Sequence, residues 1–202
     1  MLVYNLFIYI SVRDISYLWY ILYIASFGLY QLSVNGAAVA YLWPNSPWWA
    51  NASTPLFIGA AGLFGCLFAR SFLRLASHSR AFDRLLQGLV ICSALVMLMS
   101  LASGYGLALR LATLLALAFT LCIFAAGLFA WWRGLRVARY FIIAWSAFLL
   151  GGLVNTLMVL GHLPNVFLTM YASQIGAALE VCLLSLALAC LLYTSPSPRD
   201  RQ

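Results

Sequence analysis

The sequence predicts an all-α integral membrane fold: a multi-pass helical bundle with six full transmembrane helices and a truncated first helix of a seven-helix domain. Three observations predict it. Of the 202 residues, 65% are hydrophobic and 7% charged. The mean hydropathy is +1.00. Apolar runs recur at lengths near the roughly 20 residues a helix needs to cross hydrocarbon. Soluble domains carry about one quarter charged residues, so an aqueous core does not account for this composition. Met1 leads directly into apolar residues without a basic region and cleavage site, so the insertion signals are expected within the helices.

Residues 1 to 11 form the first apolar piece. At about 1.5 Å per residue it covers about 17 Å, too short for a hydrocarbon layer about 30 Å thick. It reads as the end of a truncated first helix, and the chain as a fragment of a longer protein. Apolar runs between polar interruptions then place full helices at 15–34, 54–74, 84–103, 107–131, 139–160 and 167–192. These make one domain over 1–192. The tail at 193–202 is non-helical, because prolines interrupt continuation in CLLYTSPSPRDRQ, and it reads as foreign to the domain.

All eleven basic residues are arginine, and their placement predicts topology. Positive residues accumulate in short cytoplasmic loops. Arg13 follows the first piece, Arg70, Arg74, Arg80 and Arg84 flank the third-to-fourth connection, and Arg133, Arg136 and Arg139 the fifth-to-sixth. Arg199 and Arg201 follow the last helix, whereas the alternate connections hold Arg110 alone. The expected orientation therefore has the native N-terminus outside and the C-terminus in the cytoplasm.

Without lysine, the chain lacks the amine that a retinal Schiff base requires. The net charge of +7 resides in loop arginines that orient helices, which argues against a nucleic-acid partner. Cys66, Cys92, Cys122, Cys182 and Cys190 stand singly in apolar runs, and His78 and His162 fall on opposite expected faces. Neither a metal site nor a haem is expected, and no cofactor is implied. No GxSxG nucleophile motif or three-ligand metal set appears, so the chain does not read as an enzyme.

In the segment YLWPNSPWW, Tyr41, Trp43, Trp48 and Trp49 suit the headgroup level, while Pro44 and Pro47 stiffen the connection. This external aromatic loop is expected to anchor the bundle at the interface, and could dock an external domain. Gly59, Gly62 and Cys66 form one small-residue stripe and Ala61 with Gly65 another, spacing that lets membrane helices approach closely.

Glu180 lies near the middle of the last apolar run, where a charge costs on the order of 3 kcal/mol or more. With Ser173 and Gly176 it forms an i, i+3, i+7 stripe, expected to face inward. Starting the helix near residue 168 places Glu180 about 18 Å below the external surface. Similar counting puts Ser93, Thr120 and Ser146 at that level, as a hydroxyl cluster around the acid. Asn155, after Gly151 and Gly152, is expected to bond to a neighbouring helix. For Glu180 two roles stand side by side: an interhelical hydrogen bond that fixes register, and a switch that couples the two sides.

Several stretches resemble one bacterial family, the seven-transmembrane receptors with diverse intracellular signalling modules. They are YNLFIYISVRD at 4–14, SYLWYILYIASFGLYQLSVNGAAVAYLWPNSPWW at 16–49, LFARSFL at 67–73 and LGHLPNVFLTMYASQIGAALEVCLLSLALA at 160–189. Arg13, Asp14, the aromatic loop, Gln174 and Glu180 fall on positions matching the family pattern. The resemblance implies a relay in the bacterial inner membrane, between an external sensing domain and a cytoplasmic histidine kinase or diguanylate cyclase of the same native chain. It also implies homodimerisation through kinase-type outputs, with the lipid bilayer as the other partner. The alternative is a small multi-pass transporter or channel subunit, which would be expected to show repeats, broken helices and several buried polar groups.

Overall fold

The computed structural model describes residues 2–102, 104–159 and 161–194. Among these the chain is helical, without a strand. The helices are α1 (Leu2–Val12), α2 (Ile15–Val34), α3 (Pro47–Phe72), α4 (Leu75–His78), α5 (Arg80–Ala102), α6 (Tyr105–Trp132), α7 (Arg136–Val159), α8 (Phe167–Met170) and α9 (Ala172–Thr194), with a π-helical turn at Ala38–Leu42. Five described helices are long and apolar enough to cross a membrane: α2, α3, α5, α6 and, over Ala172–Ala189, α9. The fold is an all-α multi-pass membrane domain. Among the described residues, α1 and α7 contribute further apolar stretches, Leu2–Ser11 and Ala138–Val154. α7 itself has 24 residues, the length expected of the sixth span.

Two helix starts differ from the sequence expectation. α3 begins at Pro47 rather than near residue 54, because proline's fixed φ and missing N–H suit the first helical position. The polar residues that follow do not break the helix: the Ser53 hydroxyl donates back to the Ala50 carbonyl at 3.2 Å. The last helix is divided at Tyr171 into the single turn α8 and the long α9. Glu180 therefore lies about 12 Å, rather than 18 Å, along its own helix at 1.5 Å per residue. The helical part extends to Thr194, beyond the expected boundary at 192, and residues 195–202 of the tail lie outside the described residues.

The chain forms two compact units, Leu2–Ala126 and the described part of Gly127–Gln202. In the first, α1 packs on α2, α2 on α3 and α3 on α5. The buried face of α3 is built from small residues, Gly59, Ala60, Ala61, Gly62, Gly65, Cys66 and Ala69. A Cβ at Gly59 would stand 2.8 Å from the Met97 side chain of α5, and one at Gly62 2.9 Å from the Phe119 ring of α6. One at Gly65 would stand 3.3 Å from the Tyr23 ring of α2. The glycine stripe therefore serves packing within the bundle, letting α3 approach three neighbours at once. In the second unit, α7 and α9 form the main contact, and Gly127 at the end of α6 lies against Phe141.

Candidate functional site

Hydropathy alone makes α9 a membrane span, but its rotation is set by where small residues permit close packing. Gly176, Ala177, Glu180, Leu184, Ser185, Ala187 and Leu188 are buried. These lie on the face that the Ser173, Gly176 and Glu180 stripe predicts to be turned inward, and Ser173 is half-buried at its edge. Gly176 opposes Gly151 of α7, and a Cβ added to Gly176 would reach the Gly151 Cα at 3.1 Å and the Ala147 carbonyl oxygen at 2.7 Å. A Cβ on Gly151 would be driven into the Ala172 carbonyl oxygen. Because residue numbers rise along α7 as they fall along α9, the two helices are antiparallel. One turn further, Glu180 comes level with Ala144 and Trp145. Glu180 is 0% exposed, Ala144 0% and Trp145 1%.

Trp145 was not singled out by the sequence, where it sits among other apolar residues. Its indole lies tilted against Phe141 at 6.0 Å and meets Phe148 edge-on at 5.7 Å. Its Nε1 is buried with no hydrogen-bond partner among the described residues. The available signal was position: belt tryptophans occur at helix ends, and Trp145 stands in the middle third of α7. The hydroxyl cluster expected around Glu180 does not include Ser146, which is exposed because it lies on the side of α7 away from the buried Phe141, Ala144 and Trp145. Ser93 and Thr120 belong to the first unit, where the Ser93 hydroxyl is buried without a hydrogen-bond partner among the described residues. The Asn155 side chain lies outside the described residues.

The predicted topology arginines of the first unit gather at one end of it. Asp14 caps α2, its carboxylate accepting the Ser16 N–H at 2.8 Å, and the Ser16 and Ser71 hydroxyls meet at 2.7 Å. That contact joins the start of α2 to the end of α3. Arg70 of α3 donates from Nε to one oxygen of Asp83 on α5 at 2.7 Å and from Nη2 to the other at 3.2 Å. Gln87 donates to the same carboxylate at 3.1 Å. Such a forked pair is stronger than a single charged contact. Arg13 and Arg74 turn the chain in the left-handed region, with φ of 55° and 47°. Sequence reading missed Asp83, which lies among Arg80 and Arg84; its signal was a lone acid in an arginine-flanked connection.

In the second unit Arg133 and Arg139 are exposed, Arg133 stacking over the Phe129 ring at 5.2 Å, and the Arg136 side chain lies outside the described residues. The aromatic segment of the first unit is less of a loop than expected. The π-helical turn closes with the Trp43 N–H on the Ala38 carbonyl, and Trp48 and Trp49 lie in the first turn of α3. Trp43 meets Trp49 edge-on at 6.1 Å and stacks on Phe57 at 6.4 Å. Tyr41 is 86% and Trp48 61% exposed. Pro44 is exposed in the short link, and Pro47 begins the helix.

Among the described residues no three His, Cys, Asp or Glu side chains converge as metal ligands. Long apolar helices, glycine-mediated close packing, an intramembrane acid and end-gathered arginines define a multi-pass helical membrane domain. Residues 1–190 match the family described as 7TM diverse intracellular signalling, and the chain belongs to that family. It is the transmembrane domain of a signalling receptor. No curated protein and no solved structure matches the chain.

Proposed function

We infer that this domain relays a signal across a bacterial inner membrane, from an external sensing domain to a cytoplasmic output such as a histidine kinase or diguanylate cyclase in the same native chain. The observation that carries the reading is the wholly buried Glu180, one turn from the glycine contact between α7 and α9. A pair packed so closely has little room for graded adjustment, so a change in polar pairing at 180 favours one arrangement over another. A ligand bound outside shifts the output only as far as it binds those arrangements unequally. The N-terminus lies outside and the C-terminus in the cytoplasm, which puts the arginine-bearing ends inside and the aromatic segment outside. The relay works as a homodimer, and the chemistry belongs to the output domain rather than to these helices.

The test introduces Glu180→Gln and Glu180→Leu into the receptor as its gene encodes it, reading basal output and thermal stability together. Glutamine keeps the size and hydrogen bonding of the side chain. The expected result is a Tm close to the parent, with basal output changed by a factor of about five or more. Unchanged output in a folded Gln variant leaves Glu180 as a packing residue and removes the switch.

A further inference from the structure

The first unit contains a cavity of about 390 Å³ at the end away from the Arg70–Asp83 pair, where the last turns of α2 meet the first turns of α3 and α6. Its volume lies within the roughly 300–1,000 Å³ of small-molecule sites. Hydroxyl groups give it its chemistry: Tyr30 and Ser33 from α2, Thr54 from α3, and Tyr105 and Thr113 from α6. Ser33 already donates to the Leu29 carbonyl at 2.8 Å and Thr113 to the Leu109 carbonyl at 2.8 Å. Their protons are used, and their oxygens remain acceptors. Tyr30, Thr54 and Tyr105 each bring an O–H group that can donate. No charged side chain lines the cavity, and Ile58 closes its inner wall.

We propose that this cavity binds an uncharged amphiphile whose head carries a hydroxyl group and whose tail is aliphatic, drawn from the bilayer. A hydroxyl donates once and accepts twice, so it can donate to the Ser33 or Thr113 oxygen while accepting from two of the Tyr30, Thr54 and Tyr105 O–H groups. An ionised head would enter without a counter-charge, at a desolvation cost that the lining cannot offset. Entry is from the side: Val34 is 54% and Tyr105 45% exposed on a surface that lipid covers in a membrane-spanning bundle. Occupancy bridges α2, α3 and α6, so the ligand stabilises one packing of the helices that meet the glycine face of α3. This site is additional to the external sensing domain and does not depend on Glu180.

The test reconstitutes the full chain in phosphatidylcholine nanodiscs and irradiates it with a diazirine-bearing long-chain alcohol, mapping the adducts by mass spectrometry. A matched photoreactive fatty acid at pH 8 serves as the charged control. The expected result is saturable labelling of peptides containing Tyr30, Thr54 or Tyr105, competed by unlabelled 1-decanol and at least about tenfold weaker for the ionised acid. Thr54→Val and Tyr105→Phe, which preserve shape, each weaken competition by about tenfold as one hydrogen bond is lost. Ile58→Trp fills the cavity and abolishes saturation. Because Ile58→Trp could also misfold, the two isosteric variants decide the result. Non-saturable labelling spread over all helices, equal labelling by the acid, or competition by water-soluble 1,2-hexanediol as strong as by 1-decanol each overturn the proposal.

Discussion

The Asp14 carboxylate accepts the Ser16 N–H at the start of α2, and Arg13 turns the chain before it in the left-handed region. Asp14→Ala removes the cap and should cost about 1 kcal/mol, whereas Asp14→Asn should retain most of it. Reversible unfolding in mixed micelles with increasing SDS reads the difference. Arg70 and Asp83 call for a double-mutant cycle, Arg70→Met with Asp83→Asn. A coupling of about 1 kcal/mol, shrinking as salt rises, is expected for this partly buried forked pair. Zero coupling at low salt would show that the pair only coexists. Glu180 was legible as an inward group because an acid amid twenty apolar residues has few tolerable places. Asp83 was not, because which arginine an acid meets depends on how α3 and α5 approach each other, a separation of 13 residues that local pattern does not encode. Ser146 was misread for a similar reason: depth along a helix was legible, but rotation about its axis was not.

Among elements, the α7–α9 pair gives the clearest contrast. Gly151→Ala and Gly176→Ala drive a methyl group into backbone atoms, which cannot yield as a side chain can. Each should destabilise the domain by about 1–3 kcal/mol. At Gly152 a Cβ meets nothing within 4 Å, and Gly152→Ala should be neutral or slightly stabilising. The same unfolding assay, run on the three variants, checks the ordering. If Gly152→Ala proved as harmful as its neighbour, the register of α7 against α9 would have to be redrawn. Helix positions were legible here to within a few residues, but Gly151 and Gly152 were indistinguishable by sequence. Only the helix facing them separates the two.

For the whole molecule, the testable property is orientation. In a cysteine-free background, Asn45→Cys in the aromatic segment and Ala76→Cys beside the arginines should differ in access to an impermeant maleimide. Both positions are exposed and lie in or beside chain turns. In intact spheroplasts, labelling is expected at 45 and not at 76 until the membrane is permeabilised, as the arginine bias requires. The reverse pattern would invert the relay and place the hydroxyl-lined cavity on the cytoplasmic side.

The amino-acid sequence by itself determined that the chain is a multi-pass helical membrane protein of the 7TM diverse intracellular signalling family, where its long helices run, and that Glu180 turns inward. It could do so because hydrocarbon imposes a length and an apolar composition on each span separately, whatever the neighbours. The tertiary structure alone decided that Gly151 meets Gly176, that Trp145 comes level with the acid, that Arg70 grips Asp83 and that five hydroxyls share one cavity. In a bilayer, lipid and protein interior are equally apolar, so hydropathy carries almost no information about rotation or partner choice. Those follow from how small residues and polar groups fit together across helices.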